Sequence, residues 1–68
     1  MRDNKTYPGQ VIDCLPGTEF KVQLEDGAVA QCTLAGRMYL NHIRVILGDR
    51  VEVVLSPDRG RGRIVRRF

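Results

Sequence analysis

The chain has 68 residues, with 11 Lys and Arg against 8 Asp and Glu for a net charge of +3. A chain of this length forms one domain and hides only about 60% of its unfolded surface, which excludes a second domain and a deep core. No apolar run reaches membrane-spanning length, and Cys14 and Cys32, far apart and without a second pair, do not make a disulfide framework.

Met1 to Thr6 carries charges of both signs and no strong apolar anchor, so residues 1–6 are expected to be a mobile tail and residues 7–68 the folded domain. The segment MRDNKTYPGQ lacks the apolar centre of a signal peptide, which points to a cytoplasmic protein with reduced thiols. GQVIDCL reads as a first strand whose adjacent Val11 and Ile12 break the alternation, as in a strand bent between two halves of a barrel. Pro16-Gly17-Thr18 turns the chain.

The stretch FKVQLEDGAVAQCTL dictates its own backbone: apolar and polar residues alternate into an Asp-Gly turn and out again. A two-residue turn at Asp26-Gly27 would set Val29, Gln31 and Thr33 beside Leu24, Val22 and Phe20 and bury two polar side chains. A three-residue Glu25-Asp26-Gly27 turn, with Gly27 left-handed, instead sets Ala28, Ala30 and Cys32 opposite Leu24, Val22 and Phe20. The second register is predicted, with large residues facing small ones and Cys32 acting as a small core hydrophobe.

AGRMYLNHIRVILGD has neither sustained alternation nor the length of an isolated amphipathic helix, so it reads as a long connection. Arg37 to Leu40 suits one helical turn with Met38 inward, and Ile43, Val45 and Leu47 are expected extended across an open end of the sheet. Arg50 to Leu55 is the fourth strand, with Val51, Val53 and Leu55 inward and Arg50, Glu52 and Val54 outward. Ser56-Pro57-Asp58 turns the chain, Arg59 to Gly62 reads as a flexible basic loop, and Arg63 to Phe68 as a last strand pinned by Ile64. Five short strands, with a long or helical link only between the third and fourth, fit an all-β, five-stranded Greek-key OB-fold barrel better than an SH3-like one.

Chemistry is sparse. His42 is the only histidine, no nucleophile motif or glycine-rich phosphate cradle is present, and Cys14, Cys32 and His42 lack the paired spacing of zinc ligands. No catalytic residue, metal or cofactor is therefore assigned. Five of the nine arginines (Arg59, Arg61, Arg63, Arg66 and Arg67) crowd the last ten residues, a field suited to a polyanion. Exposed aromatic platforms for base stacking are scarce, since Trp is absent and Phe20 belongs to the core. Phosphate contact and recognition of a folded RNA's shape are the mode this composition supports. Arg37, Tyr39, His42 and Arg44 in the connection form one candidate surface, and Arg59, Arg61, Arg63 and Arg67 a second; Tyr39 packs equally well against the barrel mouth. The residues leave open an RNA-chaperoning OB module and a protein-interaction barrel with acidic partners.

From Gly9 to Arg67 the sequence resembles bacterial translation initiation factor 1. The matching pieces are Leu15-Pro16 before Phe20-Lys21-Val22, the Leu24-Glu25-Asp26-Gly27 turn, Gly36-Arg37-Met38, Asn41 with Ile43-Arg44, Gly48-Asp49-Arg50-Val51, Leu55-Ser56-Pro57 and Gly62-Arg63-Ile64-Val65. The resemblance implies a monomeric OB-fold protein that occupies the aminoacyl-tRNA site of the small ribosomal subunit. There it would contact ribosomal RNA and act with the other initiation factors to keep elongator tRNA out until the start codon is set. The family's basic contact positions fall on Arg37, Arg44, Arg61, Arg63 and Arg67. Two departures stand out: Tyr39 and Leu40 replace two basic residues, and the turn after Ser56-Pro57 is one residue shorter, lacks the usual Tyr and is rich in arginine.

Overall fold

A computed structural model describes residues 5–41, 43–58 and 60–68, with Arg37 and Tyr39 described for their backbone only. Expectations about residues 1–4, His42 and Arg59, and about the side chains of Arg37 and Tyr39, lie outside the described residues. Five strands form a closed barrel: β1 (Tyr7–Leu15), β2 (Glu19–Leu24), β3 (Val29–Leu34), β4 (Arg50–Leu55) and β5 (Arg61–Arg67), in the order β1-β2-β3-β5-β4. A helical turn, α1 (Gly36–Leu40), sits in the connection between β3 and β4.

The hairpin takes the three-residue turn that the buried faces require. Phe20 pairs with Cys32 and Val22 with Ala30, Leu24 N donates to Ala28 O (2.7 Å), and Gly27 takes φ 92°. Large side chains thus meet small ones, and all four of these paired residues are buried. β1 bends where the Val11-Ile12 doublet interrupts the alternation. Its register against β2 slips between Val11 and Asp13, so Val11 is buried while Ile12 is exposed. The bend lets one strand serve two neighbours, Tyr7 to Gln10 pairing with β4 and Gly9 to Leu15 with β2. A side chain could not occupy the crossing point: a Cβ on Gly9 would meet Val22 Cγ1 at 2.6 Å and Gln23 O at 2.9 Å.

The core consists of Val11, Phe20, Val22, Leu24, Ala30, Cys32, Val51, Val53 and Ile64, closed at one end by Met38 and Val45 from the connection. Burial pushes the Cys32 thiol up to about 11, so it stays protonated and unreactive, whereas Cys14 is exposed.

Two expectations are corrected. Of Ile43, Val45 and Leu47, only Val45 is buried; Leu47 is 63% exposed. The reason is a tight turn over 46–49, with Asp49 N donating to Ile46 O (3.1 Å) and Gly48 at φ 91°, which throws Leu47 onto the tip instead of letting the extended path continue. The last strand also starts two residues earlier than predicted, because Arg61 and Gly62 already pair with Gln31 and Cys32 of β3. Gly62 makes this possible: a Cβ there would meet Val54 O at 2.7 Å and Cys32 Sγ at 3.3 Å.

Candidate nucleic-acid interface

β5 has two faces. Ile64 and Gly62 point into the barrel, so Arg61 and Arg63 point out of it by the two-residue period of a strand. Arg63 lies between Thr33 of β3 and Val54 of β4. Beside these arginines is an open groove of about 350 Å³, also lined by Thr33, Val54, Leu55 and Ser56. Arg63 makes no ion pair with any described carboxylate. Arg61 has Asp58 nearby, but that carboxylate is occupied by the turn it caps. Its Oδ1 accepts Ser56 Oγ (2.6 Å) and Gly60 N (3.0 Å), and these hydrogen bonds, Ser56 first, hold it below the ordinary aspartate range with help from Arg61.

Beyond Ile64 the alternation is broken. Val53 pairs with Ile64 but Glu52 pairs with Arg66, so Val65 is the extra residue of a β-bulge. Arg66 consequently lies against the half-buried Glu52 (3.8 Å), with its own side chain largely in solvent, so the pair carries little energetic weight. Arg67 falls opposite buried Val51 at the barrel's end, where its Nη1 donates to Arg44 O (2.7 Å) and lies 4.0 Å from Asp49 Oδ2. The bulge therefore brings Arg67 of the last strand to the main chain of Arg44 in the connection.

The connection brings Arg44 to the same end. Ala35 N donates to Ile64 O (2.9 Å), carrying the chain from β3 across β5 into α1, which packs on β5 and is pinned by buried Met38. Ile43 N returns to Met38 O (3.0 Å), and the exposed Arg44 follows. An open cleft of about 640 Å³ lies between this segment and β5, floored by Met38, Ile43 and Val65 and edged by Asn41, Glu52, Arg66 and Arg67.

Arg44, Arg61, Arg63 and Arg67 are thus exposed residues on β5 or on the segment bound to it. The backbones of Arg37 and Tyr39 lie in α1 beside them. Of the aromatic rings described, Phe20 is buried, Tyr7 packs against the core with Lys5 Nζ 6.0 Å from its ring centre, and Phe68 is exposed. Among the described residues no group of three or more His, Cys, Asp or Glu is placed to hold a metal, and no helix is long and apolar enough to cross a membrane.

Sequence reasoning missed Asp49 and the inward turn of Arg67. The signal was the Ile64-Val65 doublet, the same kind of interruption that marks the bulge in β1.

A closed five-stranded barrel of OB topology, with arginines on the outward face of one strand, is the architecture of small oligonucleotide- and oligosaccharide-binding modules. The family model described as translation initiation factor 1A / IF-1 matches residues 1–68. The solution structure of translation initiation factor 1 from the Wolbachia endosymbiont of Brugia malayi is 36% identical, with a TM-score of 0.77, covering 94% of this chain and 77% of that one. YjeQ from Thermotoga maritima is similar at 26% identity and a TM-score of 0.76, over 94% of this chain but 23% of its own, so there the barrel corresponds to one part of a longer chain. The chain belongs to the translation initiation factor 1A / IF-1 family.

Proposed function

We propose that this protein binds the small ribosomal subunit at the aminoacyl-tRNA site through ribosomal RNA, blocks premature entry of elongator tRNA and supports the other initiation factors. It acts in the cytoplasm as a monomer, by occupancy and shape, with no chemical step and no cofactor. The observation that carries the reading is the row of Arg61 and Arg63 on the outer face of β5, Arg63 without an ion pair among the described residues, in a chain whose whole length matches the family. Arginines held on a paired strand are pre-positioned for phosphate oxygens, and their fork geometry favours such contacts. Arg44 extends the surface from the connection, and Arg37, Tyr39, His42 and Arg59 are assigned to the same function from sequence alone.

Sedimentation with purified small subunits over a salt series tests this. Contact with about five phosphates gives a log-log slope of roughly −3.5 to −4.5 by counterion release. Chemical probing of the subunit RNA should show protection at the decoding helix. Absence of retention at low salt, or equal retention on unstructured RNA, would remove the ribosomal reading.

A further inference from the structure

We infer that Arg67 is a positioning residue: its guanidinium clasps the 43–49 segment against the end of the barrel and so presents Arg44 to RNA, instead of taking a phosphate itself. The β5 bulge turns Arg67 to the side of buried Val51, away from the outward row of Arg61 and Arg63. Its Nη1 donates to Arg44 O at 2.7 Å, a short charge-assisted hydrogen bond to the backbone of the residue it would present. The same nitrogen lies 4.0 Å from Asp49 Oδ2, which accepts Ile46 N at 2.9 Å. Asp49 also accepts Val11 N through its main-chain oxygen (2.9 Å), so the clasp continues into β1.

The far end of the segment is tied to β1, where Gly48 N donates to Val11 O (2.9 Å) and Gln10 Nε2 to Gly48 O (3.2 Å), but over residues 44–47 the segment is held by less. Val45 is its one buried side chain, while Ile46 and Leu47 are 59% and 63% exposed. Apolar burial fixes 44–47 at a single point, so between Val45 and the ties to β1 the Arg67 hydrogen bond sets where the Arg44 main chain lies. Arg44, by contrast, has an exposed side chain with no ion pair among the described residues. One arginine is committed inward and its neighbour is left for a ligand.

The binding half of this inference rests on the RNA-binding reading above; the clasp itself does not, and the test separates them. In the free protein, Arg67→Ala should raise amide hydrogen exchange at Ile46 and its neighbours at least tenfold, with Val22 and Ala30 changing less than twofold. Arg67→Lys, which can still donate to the Arg44 carbonyl, should recover much of the protection. Unchanged exchange at Ile46 would overturn the clasp.

In small-subunit binding, Arg44→Ala and Arg67→Ala should each lower the salt slope by about one phosphate contact, roughly 0.7 to 0.9. The double variant should match Arg44→Ala alone, since one lost contact cannot be lost twice. A double variant whose slope falls by two contacts would mean that Arg67 takes its own phosphate, which overturns the positioning role. If the unaltered protein does not bind small subunits, the ribosomal reading fails, while exchange still decides the clasp.

Discussion

The β2–β3 hairpin and the 35–49 connection hold their shape by opposite means. The hairpin pairs continuously from Glu19 with Thr33 to Gln23 with Val29, and every inward position is buried. The connection touches the core through Met38 and Val45; its two ends are tied by Ala35 N to Ile64 O and by Gly48 and Asp49 to Val11, and between them it depends on single hydrogen bonds such as those from Ile43, Ile46 and Arg67. Rigid pairing builds the scaffold, and the lightly tethered segment carries the exposed Arg44. Local opening is expected at the second long before the first.

Substitutions on the two sides should separate global from local stability. Val22→Ala, at a fully buried hairpin position, should lower unfolding free energy by about 1 to 3 kcal/mol, and chemical denaturation should show it as a shifted midpoint with an unchanged slope. Gly48→Ala should lose about 1 to 2 kcal/mol, because a Cβ there meets no atom within 4 Å and the strain comes from φ 91° alone. Its effect should appear as faster amide exchange confined to 44–49; exchange rising equally in the hairpin would erase the distinction. Arg63→Ala should change stability by no more than about 0.5 kcal/mol while lowering the salt slope of RNA binding by about one contact. An early-melting Arg63→Ala that binds normally would assign that arginine to the scaffold.

The smallest effect concerns the β4–β5 turn. Asp58 titrates below the ordinary aspartate range when folded, chiefly because Ser56 and then Gly60 donate to its carboxylate. Its contribution is therefore present at neutral pH and lost as pH falls through the depressed folded value. Carboxyl chemical shifts across an acid titration should place its midpoint below that of aspartates in the unfolded chain.

Much of the barrel was legible because burial on one side of a strand makes register a matter of arithmetic. Phe20, Val22, Ala30 and Cys32 leave only one turn length that keeps Gln31 and Thr33 out of the core. The Val11-Ile12 doublet likewise announced a bend. The identical interruption at Ile64-Val65 was hidden by the arginines around it, whose side chains do not reveal which way they face. Leu47 misled for a different reason: a tight turn around Gly48 competes with extended alternation, and nothing in the preceding residues decides between them. The candidate surface was legible as composition, but the pairing of Arg67 with the Arg44 backbone depends on residues 23 apart in the chain.

The parallel pairing of β3 with β5 has a consequence for synthesis and folding. Ring closure joins segments distant in sequence, so it is entropically slow and comes after the local hairpin. The strand that completes the ring is also the one that aligns the guanidinium row. An immature chain thus lacks the ordered arginine row, and the proposed RNA surface is complete only once the ring has closed.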